Sequence, residues 1–166
     1  ITPRLEQHRQ RLASLEASLT YLEQADSLEQ VGSLVAELEA LLAERGQRKP
    51  AGGRQRRRAG AIEGVPQPLE LNTPSGLPIQ IGRNHRQNEW IAFRQARRGD
   101  LWFHAQELPG SHVVLKSSER LASDADLQAA ADLAAHYSRG RGNGRVPVVM
   151  VPTEELQRIP GAAPGT

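Results

Sequence analysis

Cysteine is absent from this chain of 166 residues, which excludes disulfides, thiol nucleophiles and cysteine-based zinc sites. No apolar run approaches the roughly 18 residues that read as a membrane-spanning helix. No basic stretch followed by an apolar one opens the chain. Membrane spanning and secretion are therefore disfavoured, and a cytoplasmic protein with no membrane partner is the expectation. Aromatic residues are scarce at 4%, and apolar residues reach only 38%, so a packed core is possible but not a large one. A mass of 18.2 kDa suits one ordinary domain with an appendage. The first residue is Ile1 rather than Met, so the chain is expected to be a piece of something longer.

Net charge almost cancels at +2, but its distribution is uneven. Residues 1–44 hold three arginines against eight acids, a net −5. Residues 45–58 hold seven basic side chains (Arg45, Arg48, Lys49, Arg54, Arg56, Arg57, Arg58) and no acid. From 59 to 166 the two signs balance at eleven each. Such blocks mark tails and linkers rather than packed faces. They divide the chain into an acidic arm at 1–44, a basic flexible linker at 45–60 and a balanced domain at 61–166.

In the arm, Leu5, Leu12, Leu15, Leu19 and Leu22 recur at heptad spacing, with His8 at the vacant seam position. A second register runs Leu28, Val31, Val35, Leu38 and Leu42. Asp26 and Ser27 can cap the second helix, with Glu29 and Gln30 placed to complete a capping box. A helical hairpin follows. Either the helices pack on one another or on the domain, or they are the returning end of a longer antiparallel coiled coil. The linker, GQRKPAGGRQRRRAG, has no aliphatic anchor, and its glycines, proline and like charges oppose folding. It is a solvated spacer or a phosphate-backbone contact.

In the domain, residues 69–71 and 77–81 flank Asn72-Thr73-Pro74-Ser75-Gly76 as a hairpin. Asn88 is placed to cap a short helix carrying Trp90, Ile91, Phe93 and Ala96, stopped at Gly99. Strands are expected at 101–105 and 112–116 around a Pro109-Gly110 turn. Ser123 with Asp126 opens a helix running to Tyr137, and 145–151 is a last β-branched strand. The order ββαββαβ makes an α+β (or α/β) domain, a compact mixed sheet of about five strands with two helices.

The run Gly82-Arg83-Asn84-His85-Arg86-Gln87-Asn88-Glu89 resembles the G-R-N-x-x-Q-N-[DE] signature of the NFACT family's RNA-binding domain. Asp100, Trp102-Phe103-His104 and Pro109-Gly110-Ser111-His112-Val113-Val114 resemble its D-[ILV]-W-x-H…P-G-S-H-V-V. Heptads and a basic linker before the domain match the family's layout, so 1–44 would be the remnant of its middle coiled coil. Two departures stand out. His85 replaces the second Asn of the signature, and the lysine-rich tail pattern keeps one basic position here, Arg158. The resemblance implies a factor of ribosome-associated quality control. Such factors bind a large ribosomal subunit that carries a stalled peptidyl-tRNA, and recruit charged tRNA for C-terminal tailing of the nascent chain. The implied partners are tRNA and large-subunit ribosomal RNA, with ribosomal proteins reachable through the coiled coil. No cofactor is implied, and this segment would not tail alone.

Residue by residue, five arginines between 83 and 98 alternate with amides near Trp90 and Trp102, as phosphate contact and base stacking require. The expected RNA contacts are Arg83, Asn84, Arg86, Gln87, Asn88, Arg97 and Arg98, joined by the turn Gly110-Ser111-His112, whose N–H groups and hydroxyl can meet a phosphate. The alternative for these residues is a structural loop and a tight turn. The glycines at 140–144, between Arg139, Arg141 and Arg145, read equally as a second phosphate-facing loop or a connector. Asp100, His104 and His112 invite a metal reading, but no third histidine stands at ligand spacing. Ser111 beside His and Asp lacks a G-x-S-x-G elbow. Asp100, Trp102 and His104 are accordingly expected to be structural, with Asp100 and His104 as buried hydrogen-bond partners, and no enzyme is expected. The rival reading is a protein-interaction or adhesion module that binds no RNA, as in family members once labelled fibronectin-binding.

Overall fold

The structure, a computed structural model, describes residues 3–46 and 66–157. Most of the predicted linker, from residue 47, and the tail containing Arg158 lie outside the described residues.

Two helices form the arm, α1 over Pro3–Glu23 and α2 over Leu28–Gly46. Ser27 Oγ accepts the Gln30 N–H at 3.2 Å, while Gln30 Oε1 accepts the Asp26 N–H at 3.1 Å. This reciprocal cap starts α2 where the sequence places it. The leucine seam, however, does not close: Leu12 is 59% exposed, Leu19 54% and Leu28 90%. Ser14, Ser18 and Tyr21 are buried instead. They lie on one side of α1 at helical spacing, and that polar side packs on the domain.

The domain strands are β1 (Leu69–Asn72), β2 (Pro78–Ile81), β3 (Leu101–Ala105), β4 (Val113–Leu115) and β5 (Val148–Pro152). They form one sheet in the order β1-β2-β4-β3-β5. Every pairing is antiparallel, so the architecture is α+β. Alternation along the strands sets Ile79, Ile81, Val113, Leu115 and Phe103 on one face, against Ala130 and Ala134 of α4 (Asp124–His136). Burying each such large side chain stabilises the fold by about 1.5–3 kcal/mol. The opposite face carries Gln80, Val114, Trp102 and Val151 in one transverse row.

Ser123 caps α4 by a capping box with Asp126. Asp126 also accepts from the Ser75 hydroxyl at 2.6 Å, tying the β1–β2 turn to the helix. These bonds, the Ser75 hydroxyl first and the Ser123 N–H next, hold its carboxyl well below the usual carboxylate range.

The short helix departs from expectation at both ends. Helix α3 spans His85–Glu89, and its N-cap is Asn84, whose side chain accepts the Gln87 N–H. Asn88, the expected cap, lies inside the helix and is fully buried. The helix continues as a π-helical turn, Trp90–Arg94, closed by Gln95 N–H to Trp90 C=O at 2.9 Å, and ends well before Gly99.

Candidate nucleic-acid interface

The signature segment folds into a hydrogen-bonded knot. The Arg83 N–H donates to Gln87 Oε1 at 2.9 Å, and the Gln87 N–H donates to Asn84 Oδ1 at 2.7 Å. Asn88 Oδ1 accepts the His112 N–H at 3.1 Å, and the Gly82 N–H donates to His112 C=O at 2.9 Å. A Cβ on Gly82 would overlap the Asn88 carboxamide and come within 2.8 Å of its N–H. The amides and the glycine therefore have a shared structural task, which is to weld the β2–α3 turn to the start of β4.

The arm covers this knot. Tyr21 donates its hydroxyl to Gly110 C=O at 3.0 Å and accepts from the Asn88 side-chain amide. His85 Nε2 lies 3.2 Å from Ser14 C=O and 3.3 Å from Ser18 Oγ, and its ring meets the Tyr21 edge. Glu37 of α2 accepts the His85 N–H at 2.8 Å. The Arg83 guanidinium donates to Gln24 C=O at 2.8 Å, pairs with Asp26 at 3.3 Å and lies over the Tyr137 ring. Gln24 also reaches Ser138 C=O at 3.0 Å. His85, the departure from the family pattern, is thus the residue that fits the arm.

Burial sets the electrostatics. It pushes the Glu37 carboxyl up to about 6, against the lowering effect of the His85 and Arg86 N–H groups. It lowers His85 and His104, while His112, fully enclosed and beside His104 and His85, is lowered furthest. Tyr21 is raised by the same desolvation.

On β3, Trp102 stacks on His104 at 5.6 Å, and the ring of His112, just before β4, stands edge-on to both. Ser111 Oγ has no hydrogen-bond partner among the described residues, so it is not activated by either histidine. No group of three or more His, Asp or Glu that could hold a metal occurs among the described residues.

Asp100 is buried, but not as the partner of His104. Its carboxylate accepts from Lys116 Nζ at 2.6 Å, the Arg97 N–H at 2.8 Å and the Ser118 N–H at 3.1 Å. The His104 ring instead meets Gly110 C=O at 3.3 Å. The two side chains belong to different ends of β3, which separates them.

The expected RNA contacts therefore divide into two groups. Asn84, Asn88, Gly110, Ser111 and His112 are buried, Arg83 keeps 10% of its side chain exposed, and Gln87 is half-buried with its amide used in the knot. Arg86, Arg97 and Arg98 are exposed. Further exposed arginines stand at 94, 120, 139, 141 and 145. Sequence reasoning did not single out Tyr21, Gln24 or Glu37; the spacing of Tyr21 with Ser14 and Ser18 marks a second, polar face of α1.

The fold and site define a small antiparallel α+β domain, arginine-rich outside, with a helical arm latched over a buried amide loop. Residues 69–164 match the NFACT protein RNA binding domain. The chain belongs to that family. It is 41% identical over 91 residues to the Rqc2 homolog RqcH of Bacillus subtilis, and 46% identical over 87 residues to that of Streptococcus pneumoniae. These matches cover 55% and 52% of this chain and 16% of each relative, so the chain spans about a sixth of their length. In structure it is similar to the C-terminal part of the fibronectin/fibrinogen-binding protein of Streptococcus suis, with TM-score 0.79 and 33% identity. That likeness covers 97% of this chain and 61% of the other.

Proposed function

We propose that this chain is the RNA-contacting module of a ribosome-associated quality-control factor. The whole factor binds stalled large ribosomal subunits and tRNA so that the nascent chain receives a C-terminal tail. The module works in the cytoplasm by binding and not by catalysis. One observation carries this reading: the match to an RNA-binding domain runs across the whole sheet domain, including the signature at 82–89. The exposed arginines at 86, 97 and 98 supply the means, since guanidinium groups hold phosphates by paired charge-assisted bonds.

A second reading, protein interaction, is favoured by the exposed leucines of α1 and α2. Salt separates the two. Binding of the 166-residue chain to tRNA and to purified large subunits should weaken linearly with the logarithm of salt concentration, because each phosphate contact releases counterions. Binding to large subunits that is indifferent to salt, with none to tRNA, would assign the module to protein contact.

A further inference from the structure

The loop that follows α4 carries three exposed arginines and borders a concave surface. It reads Arg139-Gly140-Arg141-Gly142-Asn143-Gly144-Arg145 and returns the chain to β5. Its base is fixed. The Gly140 N–H donates to Ser138 Oγ at 3.1 Å, and a Cβ on Gly140 would come within 2.9 Å of Leu108 and Val146. Its tip is open. Nothing lies within 4 Å of where a Cβ would stand on Gly142 or Gly144, and Gly142 adopts φ +86°. No hydrogen bond is made to the N–H of Gly142, Gly144 or Arg145 among the described residues.

Between this loop and α4 lies a cleft of about 770 Å³. Arg141 and Arg145 line it, and Asp132, which accepts from Gln128 at 2.7 Å, is its lone acid. Arg141 is held toward α4 by His136, 2.8 Å from its guanidinium. The second cleft, about 660 Å³ on the other side of the sheet, holds four basic side chains, but three of them are already engaged, Arg120 by Ser75 C=O at 2.8 Å. There Glu70 and Glu119 stand among the arginines, Arg97 pairs with Glu119 at 3.4 Å, and Lys116 is taken by Asp100.

We infer that the loop at 139–145 and its cleft form a phosphate-binding site for the backbone of RNA, with Arg141 and Arg145 as the charged clamps and the N–H groups of Gly142 and Gly144 as neutral donors. Free N–H groups in a glycine-rich turn can face an anion together, here on either side of the Asn143 N–H that Gly140 C=O takes at 3.0 Å, and guanidinium groups add charge-assisted bonds. The site reads a backbone and carries no base preference of its own. It rests on the RNA-binding reading above and names where that contact is made.

The test compares the 166-residue chain with its Arg141→Gln/Arg145→Gln form, against a fluorescent single-stranded RNA oligonucleotide over a salt series. Affinity should fall about tenfold or more, and the slope of log affinity on log salt should shrink by about 1.4, from roughly 0.7 per lost contact on a single strand. The melting temperature should not move, since both side chains are exposed. The Gly142 and Gly144 amide resonances should shift on titration with the RNA. Arg4→Gln/Arg9→Gln, which removes two equal charges from the exposed side of α1, is the control. Unchanged affinity and slope in the loop variant overturn this site while leaving the RNA reading intact, as does an equal loss in the control. Failure of the unmodified chain to bind RNA overturns both.

Discussion

The hydroxyl of Tyr21 and the carboxamide of Asn88 are hydrogen-bonded across the arm–domain boundary, and both are buried. Through that one oxygen, which also donates to Gly110 C=O at 3.0 Å, the arm, the signature helix and the turn before β4 become a single body. A motif that reads as a ligand loop is here the socket for a helix.

Tyr21→Phe should therefore loosen the arm without unfolding the sheet. It leaves the buried Asn88 amide without that partner, at about 1–3 kcal/mol, while the Gly110 carbonyl keeps the His104 ring at 3.3 Å. Amide hydrogen exchange should speed up across α1 and α3 while α4 and β3 keep their protection. Unchanged exchange in α1 would show that the hydroxyl bridge does not hold the arm.

Gly82→Ala should be poorly tolerated and Gly144→Ala tolerated. The first Cβ meets the backbone of Asn88 at 2.8 Å, and the second meets nothing within 4 Å. Overpacking of this kind costs about 1–3 kcal/mol. Paired melting curves decide it, and equal melting of the two variants would contradict the close approach.

Asp100→Ala should destabilise by about 3 kcal/mol, the lower end for a broken buried ion pair because Lys116 is partly exposed. Two N–H groups lose their acceptor as well. RNA affinity per folded molecule should stay as it was, measured by titration well below the variant's melting temperature.

Acid should loosen the molecule. Burial holds His85, His104 and His112 below the ordinary 6.5, so below that pH the unfolded chain binds protons that the folded chain does not. Stability then falls with pH. Glu37, pushed up from 4.5 to about 6, acts in the opposite sense, because between those values the folded form binds the extra proton. Three groups outweigh one. The melting temperature should drop between about pH 7 and about pH 5, and a rise over that interval would refute the balance.

Deleting residues 45–58 should lower RNA affinity and flatten its salt dependence. Seven basic side chains can change the slope by at most roughly six on duplex-like RNA, and by less on a single strand. An unaltered slope would make that segment a spacer.

The sequential order of strands and helices was legible because its signals are local, whereas the sheet order β1-β2-β4-β3-β5 and its wholly antiparallel pairing, where a mixed sheet is expected from the sequence, were not. Turn residues bound β1, β2 and β4, and the Ser123–Asp126 box starts α4 as read. The cap of α3 was not legible, since Asn84 and Asn88 stand one turn apart and both suit a helix start. Tyr21 and the His112 N–H claim Asn88 from outside, which leaves Asn84 to cap.

The sequence by itself determined the family, the α+β order and the separation of an arm, a basic segment and a domain. Each rests on residue types at fixed short spacings. Only the tertiary structure decided which face of α1 meets the domain, and therefore which signature residues remain on the surface. Heptad spacing identifies an apolar face but not its neighbour. Here the Ser18 and Tyr21 hydroxyls and the Ser14 backbone carbonyl find matching donors and acceptors in His85, Asn88 and Gly110. A buried amide knot must satisfy its polar groups, and a leucine face offers none.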